Sequence, residues 1–100
     1  MDRLTFFDML SISDPTLVVS FYDQFLVLNL LLGDSPGTPI VDSYNDTSIR
    51  FSVLFSTAKD KKEILSRISS GSMVMYGKPI SVQIEDSSTK EIIITMDKWY

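Results

Sequence analysis

The feature that most constrains the fold is a stretch over residues 47–85, in which the spacing of apolar side chains changes twice. At its start, Phe51, Val53 and Phe55 alternate with other residues. This period of two is typical of a strand with one face in a core. We therefore predict a strand over residues 48–56.

Helical spacing follows that strand. Thr57 and Asp60 stand three positions apart, close to a capping box, which favours a helix start. Ile64 and Ile68 then fall on one face, so we predict a helix over residues 57–69. The basic side chains of this helix are expected to remain solvated: Lys59, Lys61, Lys62 and Arg67.

The period of two then returns. We expect Gly71 to end the helix, because a glycine supplies the backbone freedom that a helix C-terminus often needs. Ile80, Val82 and Ile84 alternate with polar residues, which predicts a strand over residues 79–85.

The first third of the chain contains a second strand–helix–strand pattern. Residues 4–10 are interpreted as a strand. Asp14 is a good helix N-cap and Pro15 a good first helical residue, so a helix is predicted over residues 14–25. The apolar run over residues 26–32 is interpreted as the next strand.

One alternative concerns the first helix. Residues 16–22 contain β-branched and aromatic side chains and could form a strand instead. Val18, Phe21 and Phe25 follow helical spacing, and the helix is preferred on its capped start. Residues 33–47 are expected to form a long connection with room for a short extension around Ile40 and Val41, since glycine and proline break the pattern there.

The end of the chain adds one more element. Residues 1–86 contain the pattern described so far, and residues 87–100 form a C-terminal extension. A turn at 86–88 allows residues 91–96 to return as an antiparallel fifth strand beside residues 81–85. We expect this strand to widen the sheet at its edge, because an unpaired edge is a liability.

The composition limits the functions that the chain can have. With 100 residues and 44% hydrophobic content, it can form one domain with a core. It has no cysteine and no histidine, so we expect no disulfide, zinc site, cofactor or enzymatic activity. The net charge of −4 disfavours strong phosphate binding. No signal peptide or membrane span is evident, and an intracellular location, nuclear or cytoplasmic, is expected.

Two short motifs resemble the RNA-recognition motif (RRM) family. They are FSTAKD at residues 55–60 and GKPI at residues 77–80, at the end of the third strand and the start of the fourth. The resemblance implies an α+β, ferredoxin-like βαββαβ fold. This fold has a four-stranded antiparallel sheet and two helices on one face. The extra C-terminal strand would be an addition to it.

The resemblance also implies a function, in which the open face of the sheet binds single-stranded RNA. The stacking aromatics of the third strand are replaced here by Arg50 and Ser52. On the first strand, Thr5 replaces the stacking aromatic and Phe7 lies beside it; a shift by one residue would turn Phe6 outward instead. The expected RNA-binding residues are therefore Thr5, Phe7, Arg50 and Ser52.

A second function is compatible with the same sequence. If residues 26–32 form a strand, Val27 and Leu31 share the open face with Leu54 and make it apolar. Such a face is typical of a surface that contacts another protein. The chain is therefore either an RRM-like module of a larger RNA-processing or RNA-regulatory protein, binding RNA weakly, or a protein-interaction or dimerisation module.

Overall fold

The protein has an α+β fold with a five-stranded antiparallel sheet and several helices. The computed structural model describes residues 7–8, 10, 14–33, 35–68, 70–75 and 77–97. The helices are α1 (Pro15–Ser20), α2 (Tyr22–Leu32) and α3 (Ala58–Arg67). The strands are β1 (Thr38–Tyr44), β2 (Ser48–Leu54), β3 (Gly71–Met75), β4 (Lys78–Ser88) and β5 (Glu91–Asp97).

The strands follow the order β1-β2-β5-β4-β3 across the sheet, and every neighbouring pair is antiparallel. The pairs β1–β2, β3–β4 and β4–β5 are neighbours in sequence. The pair β2–β5 is formed over a long separation in the chain, with α3 between β2 and β3. The last strand is therefore in the middle of the sheet.

The first helical region begins as the sequence predicts. Asp14 is the N-cap of α1 and accepts a hydrogen bond from the backbone N–H of Thr16 at 3.1 Å, and Pro15 is the first helical residue. The strand alternative for this region is therefore wrong. Phe21 forms a turn between α1 and α2, and the second helix ends at Gly33, whose φ of 52° suits a residue without Cβ.

Residues 26–32, predicted to be a strand, instead form the second half of α2. This run is apolar throughout, and a continuous apolar run does not distinguish a buried strand from a buried helix. Leucine is a strong helix former, and the run continues the helix that begins at Tyr22. Leu26, Val27, Leu28 and Leu32 are all buried. No helix in the described part of the chain is long and apolar enough to cross a membrane.

The predicted first strand over residues 4–10 is also wrong where the structure describes it. Phe7, Asp8 and Leu10 have helical conformation. The carbonyl of Leu10 accepts a hydrogen bond from the N–H of Asp14. The observed order of described elements, ααββαβββ, therefore differs from the predicted βαββαβ order.

Two strands lie where no full strand was predicted. β1 occupies the middle of the predicted connection 33–47, where only a short extension around Ile40 and Val41 was considered, and β3 begins at Gly71, which was expected to end a helix. That helix, α3, ends at Arg67. Both strands are at the edges of the sheet, where one side of the backbone has no neighbouring strand among the described residues, and in β1 the alternation of buried residues is weak.

The fifth strand is confirmed, but its expected place at the sheet edge is wrong. β5 pairs with β4 on one side and with β2 on the other. Ile92 and Ile94 are fully buried on one face, while Ile93 is on the other. Three consecutive isoleucines suit a central strand, since both of its faces are covered by neighbouring side chains.

The core lies between the sheet and the helices. Most of the predicted core residues are confirmed as buried: Phe21, Phe25, Phe51, Val53, Phe55, Ile64, Ile80 and Val82. Val18 and Ile68 are partly buried and pack against the core. The rings of Phe25 and Phe51 meet edge to face with centroids 5.9 Å apart, so α2 packs directly on β2. Gly37 also approaches this core closely; a Cβ there would lie 2.7 Å from Val53 Cγ1.

Lys61 departs from the expectation that the basic side chains of α3 are solvated. It is only 6% exposed, and its ammonium group donates hydrogen bonds to the Asp86 carboxylate and the Ser88 carbonyl. The long side chain of Lys61 therefore connects α3 to the end of β4. Ile64, on the same helix, enters the core. The helices thus cover one face of the sheet.

The buried position of Phe51 leads to a first prediction. Phe51→Ala should lower the free energy of unfolding by about 3–5 kcal/mol, because it removes a fully buried ring from the contact with Phe25. Leu54→Ala, on the same strand but 41% exposed, is the matched control and should cost less than about 1 kcal/mol. Denaturant titration measures both. Equal losses in the two variants would contradict the observed faces of β2.

Candidate functional site

The surface that the helices leave uncovered is one face of the sheet, which we call the open face. Side chains along each strand point alternately to the two faces of the sheet. The residues directly before and after a core residue in a strand therefore point to the open face. Across β1, β2, β5 and β4 the open face includes Ile40, Asp42, Arg50, Ser52, Leu54, Ser81, Gln83, Glu85, Glu91, Ile93 and Thr95.

Arg50 is the basic side chain of these open-face residues, and carboxylates flank it. Its Nε is 3.1 Å from Asp42 Oδ2, and one terminal nitrogen is 4.0 Å from Glu85 Oε2. The irregularity in register between Val41 and Ser43 places Asp42 at this point of β1. Exposed ion pairs of this kind add little stability, but they set the charge pattern of the surface.

Ser52 lies beside Arg50 on the central part of the face and is 8% exposed. Its hydroxyl donates a 2.5 Å hydrogen bond to Glu91 Oε2, and Ser87 donates a 3.0 Å hydrogen bond to the other oxygen. These two bonds lower the pKa of Glu91 below its ordinary value, and Ser52 has the larger effect. Glu91 is therefore held in its charged form.

The apolar part of the open face is smaller than the sequence implied. Ile40 and Leu54 are 45% and 41% exposed, and Ile93 is nearly covered. Val27 and Leu31, which were expected to join Leu54, belong to α2 instead. Over β1 and β2, the open face is therefore a mixed surface in which two exposed aliphatic side chains, Ile40 and Leu54, lie beside several carboxylates.

Of the four residues expected to bind RNA, the structure brings Arg50 and Ser52 together on the open face. Phe7 is elsewhere, in the helical layer, where its ring stacks on Tyr22 at 6.0 Å and meets Phe25 at 6.4 Å. Thr5 lies outside the described residues. The site predicted from the first and third strands of an RRM is thus not assembled by the described residues.

Asp42 and Glu91 are open-face residues that sequence reasoning missed. Asp42 belongs to an edge strand that was interpreted as a connection, and Glu91 reaches this face only because β5 pairs with β2. The alternation of Glu91 with Ile92 was visible in the sequence. Its neighbours could not be identified without the strand order.

A second polar contact joins the helical layer to β1 away from the open face. The Tyr44 hydroxyl donates to Asp14 Oδ2 at 2.8 Å, and the Thr16 hydroxyl donates to Asp14 Oδ1 at 2.8 Å. The hydrogen bonds from Thr16 and then Tyr44 lower the pKa of Asp14, and the same carboxylate raises the pKa of Tyr44. Since Asp14 already caps α1, this contact is accounted for by its role in the fold.

Among the described residues, no group of three or more histidine, cysteine, aspartate or glutamate side chains could hold a metal ion. The open-face residues named above offer ion pairs, hydrogen bonds and aliphatic contacts.

The Ser52–Glu91 contact leads to a second prediction. Ser52→Ala should raise the pKa of Glu91 toward its ordinary value, because the larger stabilising hydrogen bond is lost. Ser81→Ala, on the same face, has no hydrogen bond to Glu91 and is the matched control. Carboxyl chemical shifts followed through a pH titration measure this pKa.

The sign of the effect on stability follows from the lowered pKa. The contribution of Glu91 is present above the pKa of the unfolded chain and is lost as pH falls through the lower pKa of the folded state. The difference in stability between the native chain and Ser52→Ala should therefore shrink in acid. An unchanged pKa of Glu91 in Ser52→Ala would contradict the assignment.

Comparison with known proteins adds no relative: no family model, no curated protein and no solved structure matches this chain.

Proposed function

We propose that this chain is a non-catalytic protein-interaction module whose contact surface is the open face. The observation that carries the proposal is the pairing of two exposed aliphatic side chains, Ile40 and Leu54, with the carboxylates around Arg50. Ile40 and Leu54 lie on the same face of two paired strands, and exposed aliphatic side chains grouped in this way beside charged groups are typical of a contact surface.

The charge of the open face favours a particular kind of partner. Asp42 and Glu85 flank the Arg50 guanidinium and Glu91 lies on the same face, so this surface is acidic, as is the whole chain with its net charge of −4. Complementary potentials govern partner choice and encounter rate. We infer a protein partner that offers aliphatic side chains next to lysine or arginine.

RNA binding through Arg50 and Ser52 is the competing proposal, and the open face supports it less. Its carboxylates would repel phosphate, and Arg50 is already engaged by two of them. The open-face residues of β1, β2, β4 and β5 named above include no aromatic side chain on which a base could stack. RNA binding by the parent protein of such a module would then depend on other segments.

Only part of the fold matches the ferredoxin-like arrangement that the RRM resemblance implied. β2 is followed by α3, as the RRM resemblance implied, but β3 lies between α3 and the GKPI motif at the start of β4. The helices α1 and α2 and the central position of β5 do not belong to that pattern. We therefore propose that the sheet face is used as RRM folds use theirs, for contact with a macromolecule.

Selection of binding peptides tests the proposal. The immobilised intact chain is exposed to a displayed library of random peptides, and single clones are measured for affinity. We expect clones that combine aliphatic residues with lysine or arginine. Their affinity should fall by at least about tenfold for the Ile40→Ser/Leu54→Ser double variant, which removes the aliphatic contacts.

Val19→Ser is the matched control, because Val19 is 83% exposed but lies on α1, and it should leave the affinity unchanged. Glu85→Gln should weaken binding without loss of stability, since its ion pair is exposed. Selected peptides that bind all variants equally would overturn the proposed surface.

A parallel titration with fluorescent oligouridine and oligoadenosine, at low and moderate salt, tests the competing proposal. We expect no RNA binding that depends on Arg50, so Arg50→Ala should leave the titration unchanged. Tight, salt-sensitive binding that is lost in Arg50→Ala and kept in Lys62→Ala would favour RNA and contradict the protein-interaction proposal.

A further inference from the structure

The two edges of the sheet differ in how they are protected against pairing with another strand. At the β1 edge, Pro39 lacks an N–H donor, and an irregularity at Asp42 adds a charge and a twist. Proline, charge and bulges are the usual means by which proteins block edge pairing. β1 is therefore a poor template for a further strand.

The β3 edge has none of these devices. Residues 71–75 contain no charge and no proline, and they pair with β4 in an unbroken register from Gly71–Val82 to Met75–Lys78. Val74 is 73% exposed, and in the described part of the chain no strand lies outside β3. β3 thus offers a short, straight and neutral edge.

The register with β4 identifies the backbone groups that point outward. Val74 is opposite Pro79, which has no N–H, so this pair belongs to the non-hydrogen-bonded set of the ladder. The two kinds of pair alternate along the ladder, so Ser72, two residues before Val74, is also in a non-hydrogen-bonded pair. The N–H and C=O groups of Ser72 and Val74 therefore point away from β4. Ile84 of β4 supports this assignment, because it lies an even number of residues after Ile80, which is in a hydrogen-bonded pair with Met73. Its N–H points toward the β3 side of β4, where it donates to the Ser70 hydroxyl at 2.8 Å.

We propose that β3 pairs edge to edge with β3 of a second copy of this chain, in antiparallel orientation. With a two-fold axis at Met73, Ser72 of one copy is directly opposite Val74 of the other. Each outward N–H then has an outward C=O as its partner, so the strand is complementary to itself. The two five-stranded sheets would become one continuous sheet.

The lack of charge on β3 is what allows a second copy to pair there. Each chain carries a net charge of −4, which opposes self-association except where the surfaces that meet are uncharged. β3 supplies such a surface, whereas β1 carries Asp42, whose charge would be close to its own copy in the equivalent pairing. The dimer would use an edge and leave the open face available, so it does not depend on the proposed function.

Sedimentation equilibrium of the intact chain over a range of concentrations tests the proposal. We expect a monomer–dimer equilibrium for the native chain and monomers for Val74→Lys, which would place like charges across the seam. Val74→Pro removes an outward N–H that β4 does not use, and it should have the same effect. Ile40→Lys is the matched control on the other edge and should dimerise like the native chain.

Disulfide formation between introduced cysteines tests the register. The chain contains no cysteine of its own that could interfere. Directly opposite residues in a hydrogen-bonded antiparallel pair have Cα atoms about 5.5 Å apart, within the range of a disulfide. A mixture of Ser72→Cys and Val74→Cys chains should therefore form the mixed disulfide in preference to either like-with-like product.

Several results would overturn the proposal. They are a native chain that stays monomeric at every concentration, a dimer that survives in Val74→Lys, and dissociation caused by Ile40→Lys. Slow hydrogen exchange in β2 and β5 verifies that each variant is folded. If Val74→Pro fails this check, Val74→Lys and the disulfide pairs decide the question.

Discussion

The structure depends on the burial of β5 between β2 and β4. Ile92, Ile94 and Met96 are fully buried and face Val53, Phe51 and Ile49 in register on the neighbouring strand. These cross-strand pairs provide the apolar surface on which Phe25 of α2 packs, through its contact with Phe51. Without β5, the β1–β2 hairpin and the β3–β4 hairpin would have no common neighbour.

The character of the open face follows from the same arrangement. Because β5 is central, Glu91 comes beside Leu54 and is bonded by Ser52, and Glu85 of β4 comes within reach of Arg50. Asp42 of β1 and Glu85 of β4 flank the Arg50 guanidinium, and this acidic surrounding is the basis on which we propose a protein partner.

The parts of the fold that could be predicted are those with a strong local signal. The capped starts at Asp14 and Thr57 and the alternation in β2, β4 and β5 located two helical regions and three strands. The leucine-rich run was misassigned because periodicity alone does not separate a buried helix from a buried strand. The edge strands β1 and β3 gave no clear alternation.

The candidate site was predictable only in part. Arg50 and Ser52 were placed correctly, because both alternate with core residues of the same strand. Their neighbours Asp42 and Glu91 are brought there by strand pairing, which the spacing of residues along the chain does not encode.

The measurement that tests the central position of β5 most directly is native-state hydrogen exchange. We expect the amides of β5 over residues 92–96 to exchange among the slowest in the protein, and those of Ser72 and Val74 to exchange much faster. Fast exchange throughout β5 would contradict this central position.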